Sequence, residues 1–318
     1  MEYVLPYLFL IAGFAILIKG ADFFVDGSCS IAKKLHVPDL VVGLTIVAMS
    51  TSAPELAVSV SAAIDGSSDI AVGNVVGSNL LNILVILGLS ALIKPLLLDK
   101  ELLKRDIPVL LLTAVLLPIL TFFGKNHLGR IAGAILVVLF ITYIALTVRS
   151  ALRFRKNNPT TAAESEEIKS SSWLQSIIYT VCGAVMIILG GNFSVDAATD
   201  IAHQLGVSEA VIGLTIVALG TSLPELVTSV VAAKKGNSDI ALGNIVGSNI
   251  FNILFILGTT TVILPIQVDA HALIDQIILL GVTIVLAITA FTGKKLSRIE
   301  GATYLLLYVG YAVYLFLR

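Results

Sequence analysis

Apolar residues along this 318-residue chain fall in runs of roughly 18–25, separated by short polar stretches, and a run of that length suits a helix crossing the hydrocarbon core of a bilayer. The pattern predicts ten spans, near residues 4–30, 39–63, 69–93, 106–123, 130–149, 174–200, 209–233, 239–263, 272–292 and 299–317. Five precede a polar stretch at 149–172, where Arg153, Arg155, Lys156, Pro159 and Glu164 mix with serines and threonines, and five follow it. The expected division is a first five-helix unit (1–150), a flexible linker (151–172) and a second five-helix unit (173–318). The first run lacks a basic leader, and a similar run recurs at 181–196, so it reads as a retained helix rather than a signal peptide.

Within these spans one segment occurs twice. Residues 43–88 and 213–258 align without a gap, 170 positions apart, and 32 of the 46 positions are identical. Five spans per unit is an odd number, so the second unit enters the membrane from the opposite side. The basic residues agree. With the linker on the cytoplasmic side, Lys33, Lys34, Lys94, Lys100, Lys104, Arg105, Arg149, Lys234, Lys235, Lys294 and Lys295 all fall inside, whereas the outer side holds only Lys125, Arg130 and Arg318. The repeat carries the same signal: Ile64-Asp65 in the first copy is replaced by Lys234-Lys235 in the second. The predicted fold is an all-α membrane protein of ten transmembrane helices arranged as two inverted five-helix repeats, both termini outside.

Composition narrows the class. At 57% hydrophobic and 13% charged residues, with a mean hydropathy of +0.99, the chain is a polytopic membrane protein and not a globular enzyme. A net charge of −1 offers nothing to nucleic acid. Cys29 and Cys182 are far apart and read as small buried hydrophobes.

The chemistry lies in the repeat. Glu55 and Glu225 each follow a proline at lipid depth, where a carboxylate is expensive, so two symmetric ones mark a site. Pro54 and Pro224 are expected to break their helices, freeing carbonyls around Ala48, Met49, Ala218 and Leu219. Thr51, Glu55 and Ser59 share one helix face, as do Thr221, Glu225 and Ser229, with Ser52 and Ser222 flanking them. Asn74, Ser78 and Asn82 step by four, matched by Asn244, Ser248 and Asn252; Asn79 and Asn249 point elsewhere, toward either helix contacts or an ion. Carboxylate, hydroxyl, amide and carbonyl are hard oxygen donors, which favour Ca²⁺ or Na⁺ over zinc or copper. Asp26 and Asp196 are expected to cap helices or face water, and Asp69 and Asp239 to cap their helices.

On these residues the chain resembles the cation/calcium exchanger superfamily, most closely its prokaryotic sodium/calcium exchanger branch. The motifs that carry the likeness are Gly213-Leu-Thr, Gly220-Thr-Ser-Leu-Pro-Glu225 and Gly243-Asn-Ile-Val-Gly-Ser-Asn249, with their first-half counterparts. The resemblance implies antiport of Ca²⁺ against Na⁺ by alternating access, with no cofactor beyond the transported ions, in a monomer of a prokaryotic plasma membrane. It implies that Glu55 and Glu225 are shared carboxylates, that Thr51, Ser52, Thr221, Ser222 and the carbonyls of Ala48 and Ala218 complete the ion sites, and that Ser78, Asn82, Ser248 and Asn252 line the middle. It also implies that the first and sixth helices slide as a pair. Three departures stand out. Asn252 replaces an aspartate found in some members, which argues against a potassium requirement. Ser50 stands where a glycine is usual. The central loop carries no long regulatory insertion. A Ca²⁺/H⁺ antiporter, needing only the two glutamates, is the nearest alternative, and a cation channel is the alternative from another class.

Overall fold

A computed structural model of the chain describes residues 5–66, 68–157, 172–205 and 218–317, and its regular structure is helical apart from four two-residue strands. The first half contains α1 (Leu5–Leu35), then α2 (Asp39–Thr51) and α3 (Ala53–Ile64), a pair bent by 46°. It continues through α4 (Ile70–Ile93), β1 (Leu96–Leu97), α5 (Leu102–Phe123), β2 (His127–Leu128) and α6 (Arg130–Asn157). The second half runs α7 (Trp173–Gln204), α8 (Ala218–Thr221), α9 (Leu223–Lys235), α10 (Ser238–Ile263), β3 (Ile266–Gln267), α11 (Ala270–Gly293), β4 (Lys295–Leu296) and α12 (Arg298–Leu317).

Among the described residues, seven helices are long and apolar enough to cross a bilayer, or eight if the bent pair counts as one span. α12, at 20 residues, occupies the last expected span. α8 and α9 occupy the later part of the seventh, whose residues 209–217 lie outside the described residues. The expected linker starts too early: α6 continues to Asn157, carrying Arg155 and Lys156 in its last turn, where cations suit the exposed carbonyls. Residues 158–171 lie outside the described residues.

α4 and α10 form the centre. α10 is almost wholly enclosed, and its sequence is apolar or small on every side, the pattern of a helix with no solvent face. Around this centre α1 and α7 make the longest helix–helix contact. Their small residues explain the fit: a Cβ at Gly20 would sit 2.7 Å from Met186 Cβ, and one at Gly190 would sit 2.6 Å from the Leu17 nitrogen. Gly13 lies against Gly190 and Ser194 while Gly27 lies against Ser176 and Thr180, so the two helices run antiparallel. At the helix ends two antiparallel strand pairs tie the halves together, β1 with β4 and β2 with β3.

Candidate functional site

The site grows out of the break in each repeat. Ser52 (φ −85°, ψ 10°) and Ser222 (φ −91°, ψ 3°) leave helical geometry, and a new helix starts at the next residue. The sequence pattern predicts prolines inside helices, breaking them; the structure instead places Pro54 and Pro224 in the first turn of α3 and α9. A missing N–H costs nothing there, because first-turn amides have no intrahelical partner. The carbonyls of Ser50 and Gly220, four residues earlier, are the ones left without that amide. The Ala48 carbonyl accepts the Ser52 amide at 3.0 Å and lies 3.3 Å from Thr51 Oγ1, so much of its capacity is used within its own helix. Ala218 opens α8.

The break also places each glutamate in the first turn of a helix, at its positive end, where a carboxylate is favoured. Ser-x-x-Glu is the sequence of a capping box, in which serine and glutamate would bond their own helix. Neither serine does so. Instead each crosses to the other half: Ser52 Oγ donates to Glu225 Oε1 at 2.6 Å, and Ser222 Oγ donates to Glu55 Oε1 at 3.1 Å, with Ser78 Oγ 3.3 Å away. Thr51 Oγ1 crosses too, reaching Asn244 Oδ1 at 3.0 Å. Two hydroxyl-to-carboxylate bonds, related by the repeat, thus join the broken spans at their midpoints.

Both carboxyl groups are buried, Glu55 at 1% exposure and Glu225 at 0%. No ion pair reaches either among the described residues. Glu55 Oε2, Glu225 Oε2, Asn82 Oδ1, Asn252 Oδ1 and Ser248 Oγ are buried with no hydrogen-bond partner among the described residues. Four of these five atoms are carboxyl or amide oxygens, and the fifth is a hydroxyl. A buried acceptor without a donor costs about 1–3 kcal/mol, and more if charged. Such a set needs a cation to face, or a proton on each carboxyl. No three of His, Cys, Asp or Glu gather to hold a metal among the described residues, so a cation here meets a mixed oxygen set.

The remaining predicted residues separate into two groups. Asn82 and Asn252 begin wide, π-helical turns in α4 and α10, a local widening invisible in the apolar pattern and frequent at functional sites. Ser78 and Ser248 are buried beside them, and Thr221 is half-buried. Ser59 and Ser229, by contrast, accept from the amides of Asn74 and Asn244, both at 2.9 Å, and so are engaged away from the orphaned oxygens. Asn79 is structural: its Nδ2 donates to the Asn249 carbonyl at 3.1 Å, and its Oδ1 accepts from Asn252 Nδ2 at 3.0 Å, joining α4 to α10. The roles of Asn74 and Asn244 were not legible from spacing alone, although both stand on the same stripe as Ser78 and Ser248.

Outside the site, Asp26 and Asp196 are both exposed, and Asp26 is also ion-paired with Lys235 at 2.6 Å. Asp239 does not cap α10; Asn237 precedes the helix, with no side-chain bond, and Asp239 lies in its first turn. The side chain of Asp69 lies outside the described residues. The cysteines are not the buried pair expected: Cys29 is half-buried, packed against the core with its Sγ accepting from Asn237 Nδ2 at 3.2 Å, and Cys182 is exposed on α7.

Comparison with known proteins gives a consistent result. The family model described as sodium/calcium exchanger protein matches residues 5–149 and 175–317. The putative antiporter CaxA of Alkalimonas amylolytica is 39% identical over 315 residues, 97% of this chain and 98% of that protein. The sodium/calcium exchanger MaX1 of Methanosarcina acetivorans is 34% identical, with 98% of each chain covered. A solved structure of the sodium-calcium exchanger NCX_Mj, soaked with 10 mM Na⁺ and 10 mM Sr²⁺, matches with a TM-score of 0.83 at 33% identity, covering 96% of this chain and 97% of that one.

Proposed function

Because the chain belongs to the sodium/calcium exchanger family, we propose that it is a secondary antiporter exchanging Ca²⁺ for Na⁺ across a prokaryotic plasma membrane by alternating access, working as a monomer. The observation that carries this reading is the pair of buried glutamates, each bonded by a serine of the opposite repeat and each keeping one carboxylate oxygen without a donor among the described residues. Two carboxylates match the charge of one divalent cation or of two monovalent ones. Either cargo neutralises the pair, and leaving the pair bare in the membrane interior is costly. That penalty couples departure of one ion to arrival of the other, which is the physical basis of exchange.

In this proposal Glu55 and Glu225 are shared by both ions. Thr51, Ser52, Thr221, Ser222 and the carbonyls of Ala48 and Ala218 supply further oxygens, with Ser78, Ser248, Asn82 and Asn252 around the middle. Asn252 supplies an amide oxygen rather than a charge, so transport is independent of K⁺. With more than two Na⁺ per Ca²⁺ the cycle is electrogenic.

Several features support ten spans in an inverted arrangement. α1 and its counterpart α7 run antiparallel. β1 and β2 flank α5, a helix of 22 residues, about 33 Å long at 1.5 Å per residue. Since β3 pairs with β2, and not with β1, the matching ends of α4 and α10 lie at opposite ends of α5. The exchange of Ile64-Asp65 for Lys234-Lys235 suits the same inversion, with both termini outside.

The test is Ca²⁺ uptake into proteoliposomes loaded with Na⁺, with pH clamped on both sides. Uptake is expected to need the outward Na⁺ gradient. If each cycle exports net positive charge, uptake also rises when K⁺ and valinomycin set the interior positive. Uptake driven only by a pH gradient would make the counter-ion H⁺, and unitary currents without counter-ion dependence would make the protein a channel.

A further inference from the structure

Asn244 is fully buried on α10, and its side-chain amide is used on three sides. Nδ2 donates to Ser229 Oγ at 2.9 Å and to the backbone carbonyl of Glu225 at 3.4 Å; Oδ1 accepts from Thr51 Oγ1 at 3.0 Å. Asn74 on α4 repeats the first two contacts, donating to Ser59 Oγ at 2.9 Å and to the Glu55 carbonyl at 3.1 Å. Each asparagine therefore ties the turn that carries a glutamate to the central helix of its own half. Asn244 in addition holds a hydroxyl of the other half.

The chemistry of that last contact matters. A threonine hydroxyl has one proton and two lone pairs. Asn244 Oδ1 at 3.0 Å is the nearest of three acceptors for the Thr51 proton, ahead of the Val47 and Ala48 carbonyls at 3.1 Å and 3.3 Å, and it competes for that proton with Glu225, whose carboxyl the Thr51 hydroxyl also reaches. A hydroxyl turned toward Asn244 presents lone pairs to a cation, whereas a freely turning one presents either end. With both N–H groups and its oxygen engaged, Asn244 itself has no donor left to oppose an ion.

We propose that Asn244, with Asn74 as its counterpart, is a positioning residue of the ion site: it anchors the Glu225 turn and orients the Thr51 hydroxyl of the opposite repeat, coupling the two halves. The proposal rests on the ion-site reading of Glu55 and Glu225.

Equilibrium ⁴⁵Ca²⁺ binding to the detergent-purified protein and Na⁺-dependent uptake in proteoliposomes test it together. Asn244→Leu, close in volume, should raise the half-saturating Ca²⁺ roughly tenfold, as losing about 1.4 kcal/mol of binding would. Thr51→Val, which also removes an ion oxygen, should cost at least a similar factor alone and a smaller factor when combined with Asn244→Leu, because the orienting contact is already gone. Asn244→Asp keeps an acceptor for Thr51 while losing the donor amide, so Thr51→Val should still weaken binding in that background; this variant carries the test if Asn244→Leu does not purify as a folded protein. Multiplying effects of Asn244→Leu and Thr51→Val, or a lowered maximal rate with unchanged half-saturation, would overturn the proposal. Glu55→Gln and Glu225→Gln serve as the control: native Ca²⁺ binding in both would remove the ion site itself, while loss of binding there beside a normal Asn244→Leu protein would remove only the positioning role.

Discussion

The two copies of the repeat are nearly the same sequence, yet they sit in different surroundings. α9 packs closely on α1 and on the last turns of α4. Lys235, at the end of α9, reaches the Asp22 carbonyl at 3.1 Å, the Asp22 carboxylate at 2.9 Å and the Asp26 carboxylate at 2.6 Å. Its counterpart α3 barely meets α7, and between α3 and α10 lies a groove of about 490 Å³ lined in part by Leu56, Ala57, Val60, Ser61 and Phe255. There Asp65 stands in place of Lys235, and the counterpart helix α7 carries Asn192 and Asp196 where α1 has Asp22 and Asp26. Two halves in identical conformations would open the centre to both sides of a membrane or to neither. The two copies therefore differ in what covers them, although Glu55 and Glu225 are buried alike.

The shared part of the site should break first and hardest. Glu225→Gln and Glu55→Gln should each reduce Na⁺-driven Ca²⁺ uptake by about a hundredfold or more, since each removes a buried charge the cation needs. Retained flux in one of them would show that the halves do not contribute equally. Asn252→Asp adds a third carboxylate on the α10 side alone, and should shift half-maximal activity along the pH axis by about one unit or introduce a requirement for a further cation. An unchanged pH and cation profile would place Asn252 outside the site.

The difference between the halves is open to smaller effects. In a background with Cys29 and Cys182 replaced by alanine, Ser61→Cys should react with a membrane-impermeant thiol reagent several-fold faster than Val231→Cys at the matching position of α9. Equal rates would mean that the groove beside α3 is closed in the membrane. Lys235→Met should shift the balance of access states by about threefold, the modest effect expected of partly exposed ion pairs. Asp65→Lys should shift it in the opposite sense by giving the first copy the cation that α9 carries at Lys235. Half-saturating Ca²⁺ measured on right-side-out and inverted vesicles reads both.

Much of this was legible along the chain. The spans, the doubled segment and the glutamates follow from apolar run length and from the cost of charge in lipid. Helix ends were less legible: α6 runs past Arg149 because its polar last turns extend beyond the hydrocarbon layer, where hydropathy carries no signal. The stripe Thr51, Glu55, Ser59 marks a helix face, but one face cannot distinguish an oxygen free for an ion from one taken by a neighbour. Ser59 and Ser229 are taken, by asparagines whose positions lie 15 residues away.

The linear sequence by itself determined that this is a membrane protein with a duplicated, oxygen-rich, twice-charged centre, because burial in lipid acts on each segment independently. Only the tertiary structure decided which oxygens meet. Ser52 and Glu225 lie 173 positions apart and Ser222 and Glu55 lie 167 apart, and a capping-box motif read locally would have paired each serine with its own glutamate. The asymmetry between α3 and α9 is likewise a tertiary property, since the 32 identical positions of 46 cannot by themselves encode two conformations. It comes from what each copy packs against.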